Sequence, residues 1–500
     1  MDSLRQINDQ LNVISDGERQ ELLPLCQEMA VRVGSVIEQW QGEGTKAVSL
    51  LEKYCEEIYQ IYVGVKGSDL GQTCQSIGNL LSGIRACIEQ IEVSPYEILF
   101  LPYKADMWDS LESVYLAASK TEDCHVTVMP IPYYNVNPQK QILSVEYEGN
   151  RFPEEIPITD FGKYDLKERK PDAIFIHNPY DQYNYVTRVA EEFFSAELVK
   201  YTERLVYIPY FVTSRNTVAS HYCLVPGVKN AWRTFVQSEG VKKGYQEYVL
   251  DKNRIVALGS PKFDKVKQAM AEQQDIPEAW KRVIEGKKVF LLNIHLNHII
   301  SKSELMLEKL SLIFRFFKEN PEIALIWRPH PLSIETAKSL SPDFLNRYLE
   351  LTEEFRSLGI GVYDETPDIH RAIAVSDAYI GSISSIISLY GVSGKLIFIL
   401  NPSVNNIKES NSDYQDDAIQ LQIDKQIIDK MNNTSESVRF LYYEGYASLE
   451  YYVQSVIKGK NLCKQERIDR FTTLQYGWDE EQSAGERIWE YVYRDITGQE

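Results

Sequence analysis

The chain has 500 residues, of which 44% are hydrophobic and 25% charged, with a formal net charge of -19. That length exceeds one hydrophobic core and predicts about two to four domains of an ordinary water-soluble kind. The acidic balance excludes a general nucleic-acid binder and a polybasic lipid anchor, and any anionic substrate needs a locally basic site.

The first residues, MDSLRQINDQLNVISDGERQ, lack a basic region followed by an apolar core, so no signal peptide is expected. No apolar run reaches the roughly 18 residues of a spanning helix. The seven cysteines are scattered without C-x-x-C spacing and read as reduced thiols of a cytoplasmic protein. Residues 1–92 carry apolar residues at helical spacing over Asp16–Gln39, Ala47–Val63 and Ile77–Ile91. Three amphipathic helices predict a small bundle or a self-association surface.

A different rhythm starts near Pro95. Strand-like runs occur at Glu97–Leu101, His125–Met129, Asp172–Ile176, Leu205–Ile208, His221–Val225, Thr234–Gln237 and Ile255–Leu258. The stretch between the second and third runs is polar and reads as irregular. Lys265–Gly286 is charged and helical, a connector. A second series follows at Lys288–Leu292, Ile323–Trp327, Ile360–Tyr363, Ala378–Ile380 and Leu396–Leu400, with helices between. Strands alternating with helices predict two parallel α/β sheets with a cleft between them. The expected boundaries are 1–92 for the helical extension, 93–270 and 271–460 for the two α/β domains, and 461–500 for closing helices.

Ligands of open α/β sheets bind at the carboxyl ends of the strands. After Trp327 comes Arg328-Pro329-His330-Pro331, a rigid extended exit carrying a permanent cation and an imidazole. The pair suits a phosphate. The plain alternative is a structural ion pair for Arg328 and a loop cap for His330. After Ile380, Gly381 is expected to permit an unusual turn, and Ser382, Ser384 and Ser385 stand at a helix start that can bind phosphate or simply be capped. His295 and His298 follow the first strand of this series. Their spacing is compatible with a metal, but no further ligands stand at fixed spacing, so no metal is expected. In the first half, His177 at a strand end and the pair Asp106 and Asp109 are candidate bases. His125, His221 and His370 read as structural. Gly-x-Gly-x-x-Gly, Walker and Gly-x-Ser-x-Gly patterns are absent, which disfavours nicotinamide, ATPase and esterase chemistry.

Three segments in order, Gly259-Ser-Pro-Lys-Phe-Asp264, Trp327-Arg-Pro-His330 and Ser376-Asp377 to Ser384-Ser385, resemble the CDP-glycerol glycerophosphotransferase family, the teichoic acid polymerases and primases. The resemblance covers roughly residues 200 to 400. It implies two Rossmann-like domains of glycosyltransferase-B type, an N-terminal acceptor domain and a C-terminal nucleotide domain. It implies an acceptor hydroxyl attacking the β-phosphorus of a CDP-activated donor, with a polyol or glycan acceptor, in some cases lipid-linked, and no cofactor. Arg328 and His330 match the family's Arg-x-His, and Ser384 and Ser385 its serine pair. The family's Trp-His-Gly-Thr-Pro is replaced by Tyr207-Ile-Pro-Tyr-Phe-Val-Thr213, which has no histidine, and its Thr-Asp-Tyr by Gly381-Ser382-Ile383. The donor side looks kept and the base side altered. The alternatives are a nucleotide-sugar glycosyltransferase of the same fold and an inactive scaffold in surface-polymer assembly. The expected location is the cytoplasm, with contact at the inner face of the membrane.

Overall fold

The computed structural model describes residues 2–41, 44–64, 70–90, 96–137, 139–213, 218–296, 300, 303–330, 332–382, 384–399, 449–459 and 481–499. The chain divides into two compact units: Met1–Glu97 with Glu122–His125 and Thr159–Arg169, and Ile98–Thr121 with Val126–Ile158 and Lys170–Glu500.

The first unit is built on the helices Asp2–Gln10, Asp16–Gln41, Lys46–Tyr62 and Leu70–Ile88. Their apolar stripes meet in one core that includes Leu23, Leu51, Tyr54, Ile58, Ile77 and Leu81. Thr45 caps the third helix by accepting the Val48 N–H at 3.3 Å. The buried Glu97 carboxylate ties the 159–169 segment in. It accepts Nη2 of Arg169 at 2.6 and 2.7 Å and the Tyr164 hydroxyl at 2.9 Å.

The second unit holds two larger sheets and a small one. The first is ordered β2-β1-β5-β7-β8-β9, with β1 at Tyr96–Leu101, β2 at Cys124–Val128, β5 at Ala173–Ile176, β7 at Leu205–Tyr207, β8 at Arg233–Val236 and β9 at Ile255–Ala257. From β1 to β9 every neighbouring pair is parallel. The second sheet is ordered β12-β11-β10-β13-β14, all parallel, with β10 at Lys288–Asn293, β11 at Ile323–Trp327, β12 at Gly361–Tyr363, β13 at Ala378–Gly381 and β14 at Leu396–Ile399. The protein is therefore α/β, with two Rossmann-like sheets and a helical N-terminal extension. Alternate residues of β10 enter different cores: Phe290 and Leu292 pack with Phe314 and Trp327, while Leu291 packs with Phe263, Tyr379 and Tyr390. Burial on both faces explains why these strands read as continuous apolar runs.

Two sequence expectations change. The polar stretch after β2 is irregular only in part: it supplies β3 at Tyr133–Val136 and β4 at Ile142–Glu146, which join β6 at Thr187–Val189, beyond β5, in an antiparallel sheet β4-β3-β6. His221–Val225 is not a strand. It contributes to the helical turn Ser220–Cys223, because so short a run, with four apolar residues, fits either state and Pro226 opens the next helix.

Gly259 has φ 94°, a conformation that costs other residues dearly, and turns the chain from β9 into the helix Pro261–Ala271. Phe263 and Val266 of that helix join the core under the second sheet, so the helix belongs to both halves. The closing helix Ala484–Thr497 docks on the first sheet's side, where Trp489 Nε1 donates to Thr121 Oγ1 at 2.9 Å. The Asp264 carboxylate accepts the N–H groups of Ala484 and Gly485, both at 2.9 Å, and so caps the start of that helix.

Candidate functional site at the facing sheet edges

In the second sheet the strand order reverses between β10 and β13, the topological switch point where open α/β sheets leave a crevice. Asn293 ends β10 there. It is buried, its Nδ2 donates to the Arg328 carbonyl at 3.0 Å, and its carbonyl accepts the Ser382 N–H at 3.0 Å. Its Oδ1 accepts Ser384 Oγ at 3.4 Å. One amide thus links the exits of β10, β11 and β13. Sequence reasoning missed Asn293 as a site residue. The signal was a lone polar residue closing an otherwise apolar strand core.

Ser384 is the N-cap of the helix Ser385–Val392, its Oγ accepting the Ile386 N–H at 3.3 Å, and Ser385 is exposed at the first turn. Ser382 is fully buried, and its carbonyl accepts the Tyr379 hydroxyl at 3.1 Å, so it packs the strand end rather than lining the rim. Gly381 has no left-handed φ. It is needed because a Cβ there would collide with the Asn293 carbonyl and the Tyr379 hydroxyl.

His330 is half-buried, and its Nδ1 accepts the Leu332 N–H at 3.1 Å, which leaves the hydrogen of the neutral ring on Nε2. Burial and then the neighbouring His295 push its pKa below the ordinary value. Burial does the same to His295. Both rings are neutral near pH 7 and lie close enough to feel each other. His298 lies outside the described residues.

Arg328 does not turn to the helix start. Its Nη1 meets Asp364 Oδ2 at 2.5 Å, and its Nη2 donates to the Thr366 carbonyl at 2.6 Å. Asp364 is fully buried, and a carboxylate there needs a fixed counter-charge. Arg328, expected as a phosphate ligand, here braces the turn after β12. That turn delivers Asp368, whose Oδ1 caps the helix Ile369–Val375 through the His370 N–H at 2.9 Å.

The first sheet reverses order between β1 and β5. The loop after β1 contains the 3₁₀ turn Ala105–Ser110, which carries Asp106 and Asp109. His177, at the exit of β5, is fully buried. Its Nε2 accepts the Tyr103 N–H at 3.1 Å, and its Nδ1 faces Ser110 Oγ at 3.0 Å and the Met107 carbonyl at 3.3 Å. Burial pushes its pKa down to about 3. With both nitrogens engaged, His177, expected as a candidate base, is the peg that shapes the loop.

The two carboxyl edges meet at Asp109. Its Oδ2 bonds His370 Nε2 at 2.9 Å, and both its oxygens take Lys262 Nζ at 2.6 Å. Burial alone would raise this carboxyl's pKa, but Lys262 and His370 outweigh burial and hold it well below the usual range. His370 is therefore part of the contact between the sheets. Among the described residues no group of three or more His, Cys, Asp or Glu is placed to hold a metal, and no helix is long and apolar enough to cross a membrane.

No protein-family model and no curated protein matches the chain. Solved structures similar to it include the wall teichoic acid polymerase TagF, at 14% identity and TM-score 0.48, covering 91% of this chain and 100% of that one. A UDP-N-acetylglucosamine 2-epimerase is similar at 11% identity and TM-score 0.48, covering 81% and 97%. The Neisseria meningitidis UDP-GlcNAc 2-epimerase bound to UDP-GlcNAc is similar at 11% identity and TM-score 0.44, covering 80% and 100%. At that distance the fold rests on the sheets described above, and chemistry has to be argued from the site.

Proposed function

We propose that the chain is a transferase that holds a nucleotide diphosphate donor at the β10/β13 crevice and an acceptor against the first sheet's edge. The observation that carries this reading is the Asn293 junction. It sets a capped helix start, the His330 exit and the His295 loop around one switch point. Helix N–H groups and the Nε2–H of His330 are donors suited to a pyrophosphate. The donor is a CDP-activated polyol phosphate, in keeping with the family resemblance of the Gly259, Trp327 and Ser384 segments. The acceptor is a polyol or glycan, lipid-linked where it belongs to a surface polymer, reached from the cytoplasmic side of the membrane. Phosphoryl transfer needs little more than positioning and charge stabilisation, which this rim supplies without a cofactor.

The test is a thermal-shift comparison of CDP, UDP and GDP on the full chain. CDP at 100 times its dissociation constant adds about 2.7 kcal/mol of stability. The reading requires that shift to disappear in His330→Ala and in Ser384→Ala while both variants stay folded. A shift with UDP alone moves the assignment to a nucleotide-sugar glycosyltransferase. No shift with any nucleotide leaves a scaffold, with self-association through residues 1–92 as the property to measure.

A further inference from the structure

The transferase reading leaves one role unfilled, since His177 is sealed and the first sheet's exit after Tyr207 has no histidine. We infer that Asp106 is the general base that takes the acceptor's proton. It lies on the loop leaving β1, beside the first sheet's own switch point between β1 and β5. Residues i and i+3 of a 3₁₀ turn eclipse each other, so Asp106 stands over Asp109, whose other neighbours are Lys262 and His370, the latter on the helix between β12 and β13. That register puts Asp106 where the two carboxyl edges come together.

The surrounding charges are already spent. Asp109 is matched by Lys262 and His370. Glu148 accepts the Tyr133 hydroxyl at 2.6 Å and the Ala105 N–H at 2.9 Å, with Arg151 beside it at 3.4 Å. Lys104 lies over the Tyr103 and Tyr133 rings. Asp106 is exposed and, among the described residues, makes no hydrogen bond or ion pair. Partial loss of hydration raises its carboxyl pKa, Lys104 and Lys262 opposing, Glu148 and Asp109 adding to the rise. Two carboxylates three residues apart are thus driven in opposite directions, one held as a fixed anion and the other made more basic.

The step rests on the transferase reading. The acceptor O–H bond breaks and its proton passes to the Asp106 carboxylate. The acceptor oxygen forms a new bond to the donor's β-phosphorus. The bond from that phosphorus to the bridging oxygen breaks, and its electron pair leaves on the nucleoside monophosphate.

The experiment follows CMP release from CDP-glycerol, with glycerol as acceptor, across pH, in the full chain and in Asp106→Asn, Asp106→Glu and His221→Ala. Asp106→Asn should lower kcat about 10²–10⁴-fold and remove the acid limb of the rate profile. It should leave the CDP thermal shift unchanged. Asp106→Glu should recover part of the rate, and His221→Ala should behave as the parent. Full activity in Asp106→Asn, or a reduced rate with the acid limb intact, overturns the assignment. So does a loss confined to His221→Ala. Absence of CMP release by the parent protein removes the transferase reading, and the role of Asp106 with it.

Discussion

Asp109 and His370, 261 residues apart in sequence, are joined at 2.9 Å and bring together the carboxyl edges of two sheets that share no strand. Lys262, at the head of the helix Pro261–Ala271, completes the junction. Asp109 and Lys262 each have side chains about one-eighth exposed (12%), so removing one partner strands a charge. Asp109→Ala should cost about 3–5 kcal/mol. The double variant Asp109→Leu with Lys262→Met should cost clearly less than the sum of the single losses. Urea unfolding of the four proteins measures this coupling, and additive losses would mean that the pair is not a unit.

His177 gives stability a pH dependence whose sign is fixed by its burial. In the unfolded chain it takes a proton near pH 6.5; in the folded chain it resists until about pH 3. Between those values the unfolded state binds more protons, so stability falls as pH falls, by about 1.4 kcal/mol per pH unit from this group. Asp109 adds a loss in the same direction only below its unfolded pKa of about 3.9. Urea midpoints at pH 7, 5.5 and 4.5 should therefore decline in the parent protein. His177→Gln should be less stable at pH 7 yet decline less steeply, and a parallel decline would place the acid sensitivity elsewhere.

The parallel strands were legible because burial on both faces leaves an unbroken apolar run, as in Ile323–Trp327. The switch-point residues were legible in part, since Arg328, His330 and Ser384 follow such runs directly. What the sequence hid was direction. Nothing local to Arg328 tells that Asp364, 36 residues on, is fully buried and claims its guanidinium. Nothing local to His370 tells that it reaches a carboxylate in the other half of the chain. Asn293 escaped notice because an amide has no charge to attract attention, and its importance lies in bonds from its own strand's end to the exits of two others. The β4-β3-β6 sheet was missed because polar short strands lack a continuous run.

Arg328 offers a direct test of brace against ligand. As a brace it holds a buried carboxylate and the 364–368 turn, so Arg328→Met should cost about 3–5 kcal/mol. Asp364→Leu with Arg328→Met should regain much of that loss. Nucleotide affinity should then recover in the double variant along with the fold, because the guanidinium points at Asp364. An undiminished stability in Arg328→Met, with nucleotide binding abolished, would restore the ligand role.

Protons should report on the donor site. In the free protein burial keeps His330 and His295 neutral at pH 7. A bound pyrophosphate favours the protonated ring and raises its pKa, so binding takes up protons. CDP should bind more tightly as pH falls from 8 towards 6, because the free rings begin to accept protons only below about pH 6.5. Calorimetry in buffers of different ionisation enthalpy counts the protons directly. His330→Gln keeps a donor but cannot titrate, and should flatten the pH dependence while retaining part of the affinity. Proton release on binding, or a pH dependence unchanged in His330→Gln, would place the diphosphate away from this imidazole.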